Sequence, residues 1–133
     1  MSELDPIVRE LLEGRNFAHL ATLMADGSPH SVTVWMGIED GRPVCFTANL
    51  SSTKARNIAR DARVAVSVVD GENPYRTGQL RGRVETILEG DEAQAVIDRL
   101  AQKYTGADFP MRGGVVYVID VAWSRSMELP FKH

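Results

Sequence analysis

The chain has 133 residues, of which 44% are hydrophobic and 25% charged, with a formal net charge of −3. That length supports a single domain burying roughly two-thirds of its unfolded surface around one core, with no need of a disulfide or metal staple. A mildly acidic body excludes a duplex nucleic-acid binder, which needs a broad positive face, and no apolar run approaches the roughly 20 residues that span a bilayer.

Asp5 and Pro6 read as N-cap and first helical residue, and Ile7, Val8, Leu11 and Leu12 form one apolar stripe that Gly14 ends. This predicts a lid helix, not a signal peptide, so a soluble cytoplasmic protein is expected. Phe17 to Leu23 reads as a strand, Ala25 to Ser28 as a turn, and His30 to Ile38 as a second strand. A further turn at Asp40-Gly41 leads to a third strand, Val44 to Thr47, and the two hairpins predict an antiparallel meander. Cys45, the single cysteine, falls in that third strand as a buried small hydrophobe, which suits a reducing compartment.

Val64 to Val69 is a near-continuous β-branched run, expected of a central strand buried on both faces. Asp70 to Pro74 reads as a loop, and Tyr75 to Leu88 is long enough for a bent strand, with Gly78 and Gly82 at bulges or barrel corners. Asp91 is expected to cap a helix carrying Val96, Ile97, Leu100, Ala101 and Tyr104, which Gly106 ends. The last strand is Val115 to Trp123, followed by a polar tail. About six strands joined by hairpins, with helices between them, predict a mainly-β fold, a small closed or half-open antiparallel β-barrel.

The chemistry concentrates between Asn49 and Arg63. Ser51, Ser52 and Thr53 precede a short helical pattern, so one hydroxyl can cap the helix while the others donate hydrogen bonds. Unpaired amides and the positive end of the helix dipole make an anion site, and Lys54 and Arg56 add full charges within the first turn. Ile58 anchors the helix to the core, and Arg60 stands one turn beyond Arg56. The competing reading is a solvated basic helix. Hydroxyls, Lys and Arg gathered at one helix start, directly after a strand, favour a phosphate monoester.

Other constellations are weak. His19, His30 and His133 lie at no ligand spacing from one another or from Cys and carboxylates, so no metal site is assigned. Cys45 has no base partner in sequence, and the common nucleotide-loop and hydrolase signatures are missing. No catalytic side chain is assigned.

In order, Ser28 to Trp35, Cys45 to Asn49, Thr53-Lys54-Ala55-Arg56-Asn57-Ile58, Asn73-Pro74-Tyr75-Arg76 and Leu80 to Val84 together resemble the pyridoxamine 5′-phosphate oxidase-like split β-barrel superfamily. The resemblance is nearest to the small actinobacterial branch that uses the deazaflavin coenzyme F420. It implies an FMN-binding-protein-like homodimer with the phosphate on Lys54 and Arg56, and with Ser52, Thr53 and Asn57 as secondary contacts. It implies also that the tricyclic ring lies against Val32, Thr33, Val34 and Thr47, partly completed by the second subunit. The tail from Ser126 to His133 lacks the Arg-Leu-x-Pro ending of the vitamin-oxidising members, which argues against pyridoxamine phosphate oxidation.

The resemblance therefore implies an F420-dependent oxidoreductase that passes a hydride between the coenzyme and a small unsaturated or quinone-like substrate. FMN in the same barrel is the alternative, and a non-catalytic flavin- or haem-binding barrel is the second, with His19 or His30 as axial ligand. Arg60, Arg76 and Arg112 are candidates for the coenzyme's oligoglutamate tail, and Trp35 and Tyr75 for the substrate wall.

Overall fold

A computed structural model describes residues 3–131. Three helices, α1 (Pro6–Glu13), α2 (Thr53–Arg60) and α3 (Gly90–Thr105), interrupt seven strands. The strands are β1 (Ala18–Leu23), β2 (Pro29–Val34), β3 (Gly37–Glu39), β4 (Arg42–Thr47), β5 (Arg63–Asp70), β6 (Asn73–Leu88) and β7 (Val115–Glu128). All pair antiparallel in one sheet of order β2-β1-β5-β6-β7-β4-β3.

That order closes the sheet. β2 and β3 lie at opposite edges, although Trp35 and Met36 alone separate them in the chain. Three Cα steps span at most about 11 Å, so the edges must meet and the sheet must curl into the split barrel expected from the sequence. Alternation then sorts the side chains of β7. Tyr117 and Ile119 point into the barrel with Leu20, Val34, Cys45, Val66 and Leu80, whereas Val116 joins Val44 in an outer layer under Val96, Ile97 and Leu100 of α3.

The helix ends follow local chemistry. The Asp5 carboxylate accepts from the amides of Ile7 and Val8, with Pro6 at the first helical position. Val8, Leu11 and Leu12 are then buried in the barrel core, so α1 acts as the expected lid. At Asp40-Gly41 both central residues have positive φ, 50° and 79°, the twist that a two-residue hairpin needs.

Several expectations are corrected. The single strand predicted from His30 to Ile38 is two strands. Met36 cannot continue the ladder because α3 takes its backbone: its amide donates to the Tyr104 hydroxyl, and its carbonyl accepts from the Lys103 ammonium. The meander is also broken, since β4 pairs with β7 and not with β2. β5 is an interior strand but buries one face only, leaving Ser67 and Val69 exposed. Glu89, not Asp91, occupies the N-cap of α3 and makes no side-chain bond there, while Asp91 stands in the first turn, where its charge complements the dipole. The presumed polar tail continues β7 to Glu128, and Asn73 and Pro74 already belong to β6.

Candidate cofactor site

The site forms where β4 runs into α2. The Thr47 hydroxyl donates to the Asn49 carbonyl at 2.9 Å, and the Asn49 side chain accepts from the Ser51 amide at 2.9 Å. The turn is thus braced by its own side chains before the helix begins. Ser52 is the N-cap, its hydroxyl accepting from the Ala55 amide at 3.2 Å and lying 3.4 Å from the Thr47 hydroxyl. Helix geometry leaves the Thr53 and Lys54 amides without intrahelical acceptors.

Lys54 reaches back over β4, donating from Nζ to the Phe46 carbonyl at 2.8 Å. Burial holds its pKa below the ordinary lysine value. Lys54 lines a cavity of about 340 Å³ together with Thr33, Val34, Trp35, Phe46 and Thr47, and with Phe17 and Phe109. Among the described residues, no carboxylate, histidine or cysteine lines it.

One wall is aromatic. Trp35 stacks on Tyr104 with centroids 5.2 Å apart and planes 8° apart, and Phe109 stands edge-on to Trp35 and to Phe46. The Tyr104 hydroxyl donates to the Asn16 carbonyl at 2.5 Å. That bond fixes the ring behind Trp35, so the wall is pre-formed.

The structure therefore brings Thr33, Val34, Thr47 and Lys54 into one cavity, with Ser52 beside Thr47 and Thr53 at the helix start. Val32 packs against the barrel core. Arg56 is exposed and outside the cavity lining. Asn57 is turned inward and buried: its amide donates to the Thr22 hydroxyl at 3.0 Å, and its carbonyl oxygen accepts from Arg60 at 2.7 Å. Arg60 also donates to the Leu23 carbonyl.

The remaining tail candidates are occupied elsewhere. Arg76 faces Glu10, Asp70 and Glu128, and Arg112 pairs with Asp98. None of Arg60, Arg76 and Arg112 is among the described residues lining the cavity beside Lys54. Tyr75 packs on Phe131, away from the cavity that Trp35 lines. Sequence reasoning missed Phe17, Phe46, Tyr104 and Phe109. Their signal is faint, since a ring in a strand or helix reads equally well as core.

Among the described residues neither an activated nucleophile nor a metal centre emerges. Burial pushes the Cys45 thiol up to about 11 and the Tyr117 hydroxyl to about 12. Among the described residues no group of three or more His, Cys, Asp or Glu is placed to hold a metal ion. His19 is exposed on β1, His30 is partly buried on β2, and His133 lies outside the described residues. No helix of the described residues is long and apolar enough to cross a membrane. A larger cavity, about 660 Å³, opens among β1, β5 and β6 beside Arg63, Arg81, Arg83 and Asp120. No helix residue is among its described lining.

The family model for pyridoxamine 5′-phosphate oxidase matches residues 4–127. No curated protein matches the sequence. Among solved structures, one described as an F420 reductase is 30% identical, with 88% of this chain and 94% of that chain covered at a TM-score of 0.77. A conserved hypothetical protein from Mycobacterium tuberculosis is 28% identical, covering all of this chain and 91% of its own at 0.79. A pyridoxamine 5′-phosphate oxidase-related, FMN binding protein from Nostoc punctiforme is 17% identical, covering 93% and 79% at 0.66, and shares the fold. The family match starts just before Asp5 and stops one residue short of the end of β7, taking in every helix and strand; the chain belongs to the pyridoxamine 5′-phosphate oxidase family.

Proposed function

We propose that the protein is an oxidoreductase that uses the deazaflavin coenzyme F420 to transfer a hydride to or from a small unsaturated or quinone-like molecule. The observation that carries this reading is the partly buried Lys54 at the start of α2, lining a cavity together with strand residues and aromatic side chains. This donor set fits a phosphate joined to a flat ring system. Lys54 neutralises the phosphate charge, the Ser52 and Thr53 hydroxyls and free first-turn amides donate to its oxygens, and Thr33, Val34 and Thr47 back the ring.

When bound, a reduced deazaflavin supplies a hydride to an electrophilic C=C or C=N bond, chemistry that needs no side-chain nucleophile. Trp35, Phe46 and Phe109 exclude water and orient a planar partner. A described cavity lining free of carboxylate, histidine and cysteine is consistent with that division of labour. The likeness to an F420 reductase at 30% identity supports the deazaflavin over FMN, although both bring a phosphate to Lys54.

The active form is a homodimer in this reading. The larger cavity opens on the sheet around Ala21, Ala65 and Arg81, and a second copy would cover it. Incubation with F420 or FMN, then gel filtration with in-line light scattering and absorbance, tests both points. The expected species carries F420 absorbance at twice 14.7 kDa. A 14.7 kDa species at micromolar concentration would remove the two-subunit pocket.

A further inference from the structure

We infer that Asp98, which does not line the cavity, is a positioning residue for it: its carboxylate holds residues 107–114 so that Phe109 closes the aromatic wall. This rests on the reading of that cavity as the binding site. Several polar groups of the strap converge on this one side chain of α3. Asp98 Oδ1 accepts from the Phe109 amide at 3.2 Å and from Arg112 Nη1 at 3.2 Å, and Oδ2 accepts from Arg112 Nη2 at 3.1 Å. Arg112 Nη1 also donates to the Phe109 carbonyl at 3.3 Å, and Gln94 donates to Asp98 Oδ1 at 3.1 Å. The Phe109 backbone is therefore gripped on both sides.

The carboxylate is the less exposed partner of this pair. Its side chain is 20% exposed and that of Arg112 59%. Burial opposes its ionisation, yet hydrogen bonds from Gln94, Arg112 and the Phe109 amide hold its pKa below the ordinary aspartate value. Beyond this anchor the strap has a Gln102–Asp108 bond, bonds between the Thr105 hydroxyl and the Ala107 backbone, and the packing of Phe109 against the cluster of Val96, Ile97 and Leu100, while its Met111 is exposed.

Each end of the strap suits a hinge. Gly106 and Gly113 have φ of 83° and 93°, a region that side chains disfavour. Gly114 packs so closely that a Cβ there would stand 2.7 Å from the Thr47 carbonyl oxygen, which ties the far end to the site itself. Between them, Phe109 sets its edge against Trp35, at 6.1 Å, and Phe46, at 5.1 Å. Apart from Phe109 and Gly114 the strap residues are exposed, and a largely exposed segment with one ion-pair anchor opens at low cost and gates ligand exchange. Asp98 thereby governs how readily a planar molecule reaches Trp35.

The test uses the full chain with Trp123→Phe, which leaves Trp35 as the sole tryptophan, and acrylamide as the probe of access. Asp98→Ala should raise the acrylamide quenching constant of Trp35 about twofold or more, with Arg112→Ala close behind and Asp98→Asn, which keeps an acceptor for the Phe109 amide, in between. Phe109→Ala should match Asp98→Ala, and the double variant should add little, because both remove the same barrier. Off-rates of the retained coenzyme should rise roughly tenfold in Asp98→Ala while the thermal midpoint stays within a few degrees. Unchanged quenching in folded Asp98→Ala, or additive effects in the double variant, would overturn the inference. A wild-type chain that retains neither F420 nor FMN would sink the proposed function instead, since the quenching comparison needs no coenzyme.

Discussion

Lys54→Ala should weaken coenzyme binding by about 1.5 to 3 kcal/mol, roughly 10- to 150-fold, the scale of a hydrogen bond to a charged group. The lysine is pre-positioned: its ammonium already spans from α2 to the Phe46 carbonyl, so little side-chain freedom is left to lose on binding. It is also partly buried, where a charge pair is less screened than at the surface. Arg56 is exposed and outside the cavity lining, so Arg56→Ala is expected to cost less, about 1 kcal/mol or under. Fluorescence titration of folded variants decides the ranking. Affinities within twofold of wild type for both would reduce the start of α2 to a solvated basic face.

The largest effect on stability should come from Gly82→Ala. A Cβ at this position would stand 2.2 Å from the Asp120 carbonyl oxygen and 3.1 Å from its carbon, both backbone atoms that cannot swing aside. Gly82 sits where the β6–β7 register slips, in the two longest strands of the sheet. Relief requires parting those strands, so the cost belongs at the upper end of overpacking, about 3 kcal/mol, or roughly 10 °C in Tm. Gly78→Ala makes the contrast. Its Cβ would meet Val8 Cγ2 at 2.9 Å, the end of a side chain on α1, and the smaller loss reflects a helix that can shift. Thermal melts compare the two, and a Gly82→Ala midpoint within about 2 °C of wild type would contradict the close approach.

What the sequence disclosed was mostly local. Asp5-Pro6, Asp40-Gly41 and the hydroxyls before Lys54 are legible because cap and turn chemistry acts within four residues. The bend at Gly82 is legible for a similar reason, since glycine inside a long strand marks a close approach. The break between β2 and β3 is not. Val34, Trp35 and Met36 continue an apolar run, and only the arrival of Lys103 and Tyr104 from α3 turns Met36 out of the ladder. Asn57 reads as a candidate donor at the helix start, but its partner Thr22 lies 35 residues away, on a strand that no local pattern pairs with α2. The Asp98–Phe109 link escapes for the same reason: it joins a helix to a segment without periodicity.

The central claim is hydride transfer on a deazaflavin held by this cavity, and one measurement reaches it directly. The protein is loaded with reduced F420, freed of excess coenzyme by gel filtration, and mixed in a stopped-flow cell with a panel of unsaturated and quinone-like acceptors, FMN being run in parallel. The account predicts that the complex is stable in air, because carbon in place of N5 suppresses the one-electron steps by which reduced flavins meet oxygen, and that absorbance of the oxidised coenzyme returns when an acceptor is added. Retention of FMN with no affinity for F420, or retention of F420 without turnover on any acceptor, would contradict it.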